Sequence, residues 1–378
     1  MAAQRVPRPR FFHQLVAPLS KFIGKATRKL NSDWHYRKFF TREHVLSQVY
    51  FQVSDEASLR GLAQALNEDS RVKEIVDNKG VDLSSLSRAN SHRTYQVFEF
   101  LFESLFPISL ACCGQDLGPL ATLGPLRIVD GTFMQCVASM VWASYQEKKN
   151  GVKGHLLLSA GDDLPERLVL TEGKGSERAV LKQLLQRGVT YIIDRGYNCY
   201  GLFNTVAVKG AFFVTRLLTG AAFEVVQELP VDEEDRSKGV LSDRKIRLGK
   251  GKKAVKVLLR LVTFQAGDGK VYRFLTNRMD LRALLVCELY HRRWEIELFF
   301  RFMKNYLKVK QFLGRSENAV LIQLYAALIA FLLLRLYAKI KEGSNKLTLQ
   351  ILRAAKHRLF ARIPHHEITE YLARLQPG

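Results

Sequence analysis

Acidic residues are the scarce charge in this 378-residue chain: 36 Asp and Glu stand against 58 Lys and Arg, a formal net charge of +22. A surface so biased seeks polyanions, and nucleic acid is the first candidate. Cysteine is sparse as well. The five, at 112, 113, 136, 199 and 287, form no C-x-x-C pair and no zinc-like spacing, so they read as reduced thiols of a cytoplasmic protein. Long apolar runs are missing. The longest, Ala319 to Leu334, is broken by Gln323; it is short for a bilayer and reads as a buried core helix, which leaves no membrane partner expected. The opening MAAQRVPRPRFFHQL has basic residues with no continuous apolar core behind them, so no secretory signal is expected. No phosphate-binding G-x4-G-K-[ST] frame is present; Gly173 to Ser176 (GKGS) is a turn opening a helix. His365 and His366 read as a polar surface patch.

Against these absences stands one dense pattern. Within YHRRWEIELFFRFMK, residues Tyr290, Arg293, Glu297 and Lys304 are offset by 0, 3, 7 and 14 positions. On a continuous helix they fall within roughly 60° of arc, so a phenol, two cations and a carboxylate share one face. Glu295 points away. Upstream, LRIVD and VTYIID are short apolar runs that read as buried strands, each delivering a carboxylate at its end: Asp130, followed by Gly131 and Thr132, and Asp194, followed by Arg195, Gly196 and Tyr197. An Asp after a strand is commonly a turn or helix cap, so the weight lies on the three acids taken in order. The tandem Asp162 and Asp163 in GDDLPE are the alternative acids, read here as a turn.

The spacing Y-x2-R-x3-E-x6-K, with DGT and DRGY ahead of it, resembles the signature of the insertion sequence 4 family of DDE transposases. The resemblance implies that Asp130, Asp194 and Glu297 form a metal-binding catalytic triad, and that Tyr290, Arg293 and Lys304 engage DNA phosphates near the scissile bond. It covers nearly the whole chain, including a stretch similar to Leu86–Arg93 (LSRANSHR). It also implies a homodimer that pairs two terminal inverted repeats on double-stranded DNA, in a bacterial, cytoplasmic and nucleoid-associated setting.

The order of elements fits that family. MVWASYQEK and KGHLLLSAG follow LRIVDGTFMQCV as strands, then SERAVLKQLLQR as a helix and VTYIIDRGY as a strand, which is the order of a ribonuclease H-like α/β core. About a hundred positions separate Asp194 from Glu297, whereas a strand and crossover need only about 30. A β-rich insertion is therefore expected. Five parts result: a helical, basic, DNA-binding N-terminal domain (1–115), the first part of the core (116–215), the insertion (216–268), the second part of the core carrying the Glu helix (269–340) and a C-terminal helical region (341–378). In the first, Trp34, His35, Tyr36, Phe39 and Phe40 interleave with Arg37, Lys38 and Arg42, a composition suited to DNA. In the insertion, Asp232 to Asp235 read as a solvated hairpin tip, while Arg244, Lys245, Arg247, Lys250, Lys252 and Lys253 could line a DNA groove. Arg301 and Trp294 are further DNA-contact candidates; Trp294 could stack on a base, with a buried core position as the favoured alternative.

Three carboxylates suit two Mg²⁺ or Mn²⁺ ions, which activate water and stabilise the leaving oxyanion. Asp130 is expected to bridge them, with Asp194 and Glu297 each completing one ion. The expected activity is cleavage at transposon ends and joining of the 3′ ends to target DNA. A metal-dependent structure-specific nuclease and a non-catalytic DNA-binding derivative are the alternatives.

Overall fold

The computed structural model describes residues 8–114, 118–137, 139–146, 149–251 and 254–375. Helices come first: α1 (Phe11–Val16), α2 (Ser20–Leu30), α3 (Thr41–Val53), α4 (Leu59–Glu68), α5 (Ser70–Val76), α6 (Leu83–His92) and α7 (Gln96–Cys113). Then follow β1 (Leu126–Gln135), β2 (Ser144–Gln146), β3 (Lys149–Ser159), β4 (Leu164–Glu172), α8 (Glu177–Leu184), β5 (Thr190–Ile193), α9 (Tyr200–Val208) and β6 (Phe212–Arg216). The chain continues through β7 (Phe223–Leu229), α10 (Glu233–Ser237), β8 (Val240–Leu248), β9 (Leu259–Gln265), β10 (Val271–Thr276), α11 (Ala283–His291), α12 (Trp294–Tyr306), α13 (Glu317–Glu342), α14 (Leu349–Arg358) and α15 (His365–Ala373). Two compact units result. One comprises Met1–Gln115, Met134–Val152 and Arg301–Gly378; the other comprises Asp116–Phe133 and Lys153–Phe300.

The first unit is built around α13. Ser316 caps its first turn by accepting from Ala319 N, and Gly343 closes it in the left-handed conformation at φ 64°. Its apolar window is wholly buried inside the fold, which agrees with a core helix. Gln323, the polar break in that run, is buried because it has work for both ends of its amide: Nε2 donates to the carbonyls of Lys308 and Gln311, and Oε1 accepts from Leu313 N at 2.7 Å. A second buried polar network joins α3 to α6, where Asn90 Oδ1 meets His44 Nε2 at 2.7 Å and accepts from Gln48 Nε2 at 2.9 Å. Arg93, fully buried, donates to the carbonyls of Phe39 and Phe40. The LSRANSHR stretch thus supplies interior polar groups that hydrogen-bond within the fold, although Gln48 Oε1 and Arg93 Nε have no hydrogen-bond partner among the described residues. Pro18 separates α1 from α2 through a short 3-10 turn where a single helix might be read from periodicity.

The second unit is a mixed α/β body around a large sheet. The sheet order is β2-β3-β1-β5-β6-β10-β9-β8-β7, with β4 pairing β3 off this path. β1, β5 and β6 are parallel neighbours; β10, β9, β8 and β7 extend the sheet antiparallel. This arrangement fits a ribonuclease H-like core. Two local readings change. Val141–Ala143 is a 3-10 turn rather than strand, leaving only Ser144–Gln146 extended, and Leu164–Glu172 is a strand that periodicity did not mark. Nor do β7 to β9 form a separate layer: Ile246, Leu248, Leu259 and Leu261 are buried in one core with Phe203, Phe213 and Ile193.

Candidate active site

Two parallel strands place the first two acids. β1 and β5 pair from Leu126 opposite Thr190 to Val129 opposite Ile193. Asp130 and Asp194 are the next residues, so they leave the pairing side by side at its carboxyl end, where open α/β sheets bind ligands. Asp130 lies inside β1 rather than at its end, because β1 runs on through Gln135 while β5 stops. Its Oδ1 accepts from Gly131 N at 2.8 Å. Burial pushes the Asp130 carboxyl up to about 6; the Glu177 and Asp194 carboxylates push the same way, while the Gly131 N–H and Arg293 oppose it. Asp194 opens the 3-10 turn Arg195–Tyr197, and its carbonyl accepts from the Thr215 hydroxyl at 3.3 Å.

The remaining groups come from two helices rather than the single helix expected. α11 ends at His291 and α12 begins at Trp294. Between them Arg293 N bonds Tyr290 O at 3.0 Å and Glu295 N bonds Arg292 O at 2.9 Å, three-residue closures that tighten the chain; Arg292 and Glu295 also pair at 3.0 Å. The break re-aims Arg293. Its Nη2 donates to Glu297 Oε1 at 2.6 Å, its Nη1 lies 4.0 Å from Asp130 Oδ2 and its Nε 3.9 Å from Asp194 Oδ1. All three acids therefore converge on one guanidinium. The Tyr290 hydroxyl donates to Asp194 Oδ1 at 3.5 Å, and its ring packs on Phe274. Glu295 is turned elsewhere and accepts from Gly161 N at 2.8 Å. There Asp162 accepts from Ser159 Oγ and Asp163 adopts φ 55°, the geometry of a turn. Lys304 and Arg301 belong to the first unit; Lys304 is half-buried, and burial lowers its ammonium, while Arg301 is exposed.

Sequence reasoning gave no role to several neighbours. Glu177, in the first turn of α8, ion-pairs with Lys153 of β3. A Cβ on residue 131 would meet both, at 3.0 Å from Glu177 Oε1 and 2.9 Å from Lys153, so Gly131 makes room for this pair beside Asp130. Glu in a first helical turn is favoured by the helix dipole anywhere, so its spacing carries no mark. Tyr197 of the DRGY stretch is fully buried, and its hydroxyl has no hydrogen-bond partner among the described residues. Burial, then Glu177, Asp130 and Asp194, hold its phenol far above the ordinary range.

α11 is anchored from outside itself. Its N-cap, Arg282, makes no side-chain cap. Instead Asp235 of α10 accepts from Leu284 N at 3.1 Å and from Arg282 Nη2 at 2.7 Å, and Glu234 takes a second Arg282 bond at 2.9 Å. Asp235 is 2% exposed. The Asp232–Asp235 run does lie in the β7–β8 connection with Asp232, Glu233 and Glu234 exposed, but Asp235 is turned inward and delivers a carboxylate to the unsatisfied N–H groups and partial positive charge of a helix start.

An open cleft of about 990 Å³ lies alongside, lined by Arg216, Tyr272, Phe274, Tyr290, Arg293 and Trp294 among others. Trp294 is 49% exposed, which sets aside the core alternative for it. On β8, Arg244 pairs with Glu228 at 2.8 Å and Arg247 with Glu224 at 3.4 Å across the strand, so these cations are locally balanced; Lys245 is half-buried and Lys250 exposed. Lys252 and Lys253 lie outside the described residues.

Residues 122–333 match the family model described as Transposase DDE domain. A putative transposase, y4zB, of Sinorhizobium fredii is 35% identical over 232 residues, 60% of this chain and 64% of that protein, so the match spans less than two thirds of that relative's length. A probable transposase for insertion sequence element IS5377 of Geobacillus stearothermophilus is 32% identical, covering 69% of each chain. The transposase InsG for insertion sequence element IS4 of Escherichia coli is 30% identical over 183 residues, 46% of this chain and 40% of that one.

Proposed function

The chain belongs to the DDE transposases, in the insertion sequence 4 family, and on that premise we propose that it cuts transposon ends and joins them to target DNA, using Asp130, Asp194 and Glu297 as its catalytic acids. The observation that carries this reading is the convergence of those three carboxylates on Arg293 at the carboxyl edge of the β1–β5 pair.

The fit of a divalent metal can be judged from the donors. All three are carboxylate oxygens, the hard set that Mg²⁺ or Mn²⁺ prefers. Two buried polar atoms, the Tyr197 hydroxyl and Arg293 Nε, have no hydrogen-bond partner among the described residues, as expected where ion-bound waters complete the bonding. Among the described residues no three acid, His or Cys side chains stand close enough to hold an ion; the acids face the Arg293 guanidinium instead. When bound, two such ions supply an activated water and charge stabilisation for the leaving 3′ oxygen. Asp130, Asp194 and Glu297 are the residues that would hold such ions.

The protein's own groups do the rest. Tyr290 keeps Asp194 oriented and presents its ring to the cleft. Arg293 binds a phosphate oxygen beside the scissile bond, Lys304 of the first unit is a further proposed phosphate ligand, and exposed Trp294 offers a stacking surface for an unpaired base. Hydrolysis and strand transfer are one in-line displacement with different nucleophiles, so one site serves both. The helical region 1–115, with its interleaved cations and aromatics and exposed Trp34, is the proposed reader of the terminal inverted repeats, in a dimer that pairs two ends; residues 216–268 are the proposed insertion into the core, and 341–378 a C-terminal helical region.

The test is a linear DNA carrying the element's own terminal repeats, incubated with Mg²⁺ or Mn²⁺ and wild type or Asp130→Asn, Asp194→Asn and Glu297→Gln. Cutting and joining by wild type, with binding alone by each variant, is the expected result. Cutting without joining would favour a structure-specific nuclease, binding without cutting a non-catalytic derivative, and full activity in the variants would remove these acids from the site.

A further inference from the structure

The family resemblance assigns Arg293 to DNA phosphate. Its position gives it an earlier task. Clustering three carboxylates in a half-buried pocket costs free energy unless a cation stands among them. In this chain that cation is Arg293, whose side chain is 15% exposed and meets Glu297 at 2.6 Å, Asp194 at 3.9 Å and Asp130 at 4.0 Å. The planar fork of a guanidinium can address several carboxylates at once, which a point charge cannot. The chain break at Arg292–Arg293 is what aims it there.

We propose that Arg293 is a positioning residue as well as a phosphate ligand: in the metal-free protein its guanidinium holds Asp130, Asp194 and Glu297 together, and it yields that place when divalent ions bind. The inference rests on the reading of these acids as the ion-binding set. The consequence is a competition. The same fork that assembles the acids occupies the space an ion must enter, so the site is assembled before metal arrives and binds metal more weakly than three bare carboxylates would. Displacement then frees the guanidinium for the negatively charged strand, so ion entry and phosphate capture are linked through one side chain. Its Nε, buried and without a hydrogen-bond partner among the described residues, is consistent with a group that is not locked by a full set of bonds.

The experiment is Mn²⁺ binding to the full chain without DNA, read by electron paramagnetic resonance of free Mn²⁺, together with thermal melting with and without the ion. Arg293→Gln should melt below wild type in the absence of metal, bind Mn²⁺ about ten- to a hundredfold more tightly, the fold-change of one charged hydrogen bond, and show the larger metal-induced rise in Tm. Arg293→Lys keeps the charge but not the fork, and should fall between the two. If Arg293→Gln binds Mn²⁺ no more tightly than wild type, or Arg293→Lys behaves as wild type, the proposed role of the fork is wrong. Glu297→Gln separates this from the site itself. Binding by wild type that Glu297→Gln abolishes keeps the acid set and leaves the Arg293 variants to decide; no binding by any form overturns the acid set and this inference with it.

Discussion

Two arginines of the second unit face acids in opposite ways. Arg260, on β9, is nearly buried and fully engaged: Nε and Nη2 bond Asp243 of β8 at 2.9 and 2.6 Å, and Nη1 donates to the carbonyls of Leu281 and Arg278. One guanidinium meets one carboxylate, and the remaining donors find carbonyls just ahead of α11. Arg293 meets three carboxylates with one short bond and two long contacts, and its Nε, 3.9 Å from Asp194, has no hydrogen-bond partner among the described residues. The first closes its electrostatics and serves as a rivet. The second leaves negative charge in excess and geometry unfinished, which is the state of a site prepared for a cationic partner and a phosphate.

The contrast can be broken by mutation. Asp243→Ala strands the Arg260 charge in the interior and should cost about 3–5 kcal/mol of stability, measured by urea or thermal unfolding; a loss under 1 kcal/mol would mean that Arg260 is rehydrated there and the rivet is not one. Glu297→Gln should behave in reverse. Its metal-free stability should fall by no more than about 1.5 kcal/mol, the worth of its hydrogen bond to Arg293, while cleavage falls by more than about a hundredfold, beyond the range of an outer-sphere change. Asp235→Ala tests the anchor between the two regions: loss of the α11 cap should cost about 1–2 kcal/mol, with a smaller drop in cleavage than at Glu297, both restored in part by Asp235→Asn.

The smallest expected effect concerns a third arginine, Arg93 of the first unit, whose buried guanidinium faces His44. Burial first, then Arg93, lowers the His44 imidazole to about 3. A group held neutral in the folded chain contributes its full stability above the unfolded value of 6.5 and loses it as pH falls from there towards 3. Melting curves between pH 7 and 5 should therefore show a decline with a limiting slope of about 1.4 kcal/mol per pH unit below 6.5 from this residue. A flat profile, or an imidazolium signal for His44 at pH 5 in the folded state, would show that burial and Arg93 together do not hold this ring neutral.

Much of the candidate site could be read from the chain because two of its acids follow short apolar runs, a local pattern, although β1 runs on past Asp130. Asp130 and Asp194 stand out for that reason. The break between α11 and α12 was hidden because no Pro or Gly marks it and the alternation of apolar and charged residues continues across Arg292 and Arg293. β4 was hidden by Glu166 in its middle, which pairs with Arg127 of β1; a charge tolerated by a partner about forty positions away leaves no local trace. The same holds for Asp235, whose partners Arg282 and Leu284 lie nearly fifty positions on. Glu177 and Tyr197 belong beside the acids only once α8 and the turn after β5 are folded.

The pairing of β1 with β5 has a mechanical corollary. Backbone hydrogen bonds up to Val129 and Ile193 fix the strand spacing at about 4.8 Å, so Asp130 and Asp194 form a fixed jaw whose gap cannot change without unzipping the sheet. Glu297 sits beyond a turn, on a helix steadied by a cap at the far end of α11. Its distance from that jaw is therefore set by the Arg292–Arg293 turn and by the seating of α11, not by sheet pairing.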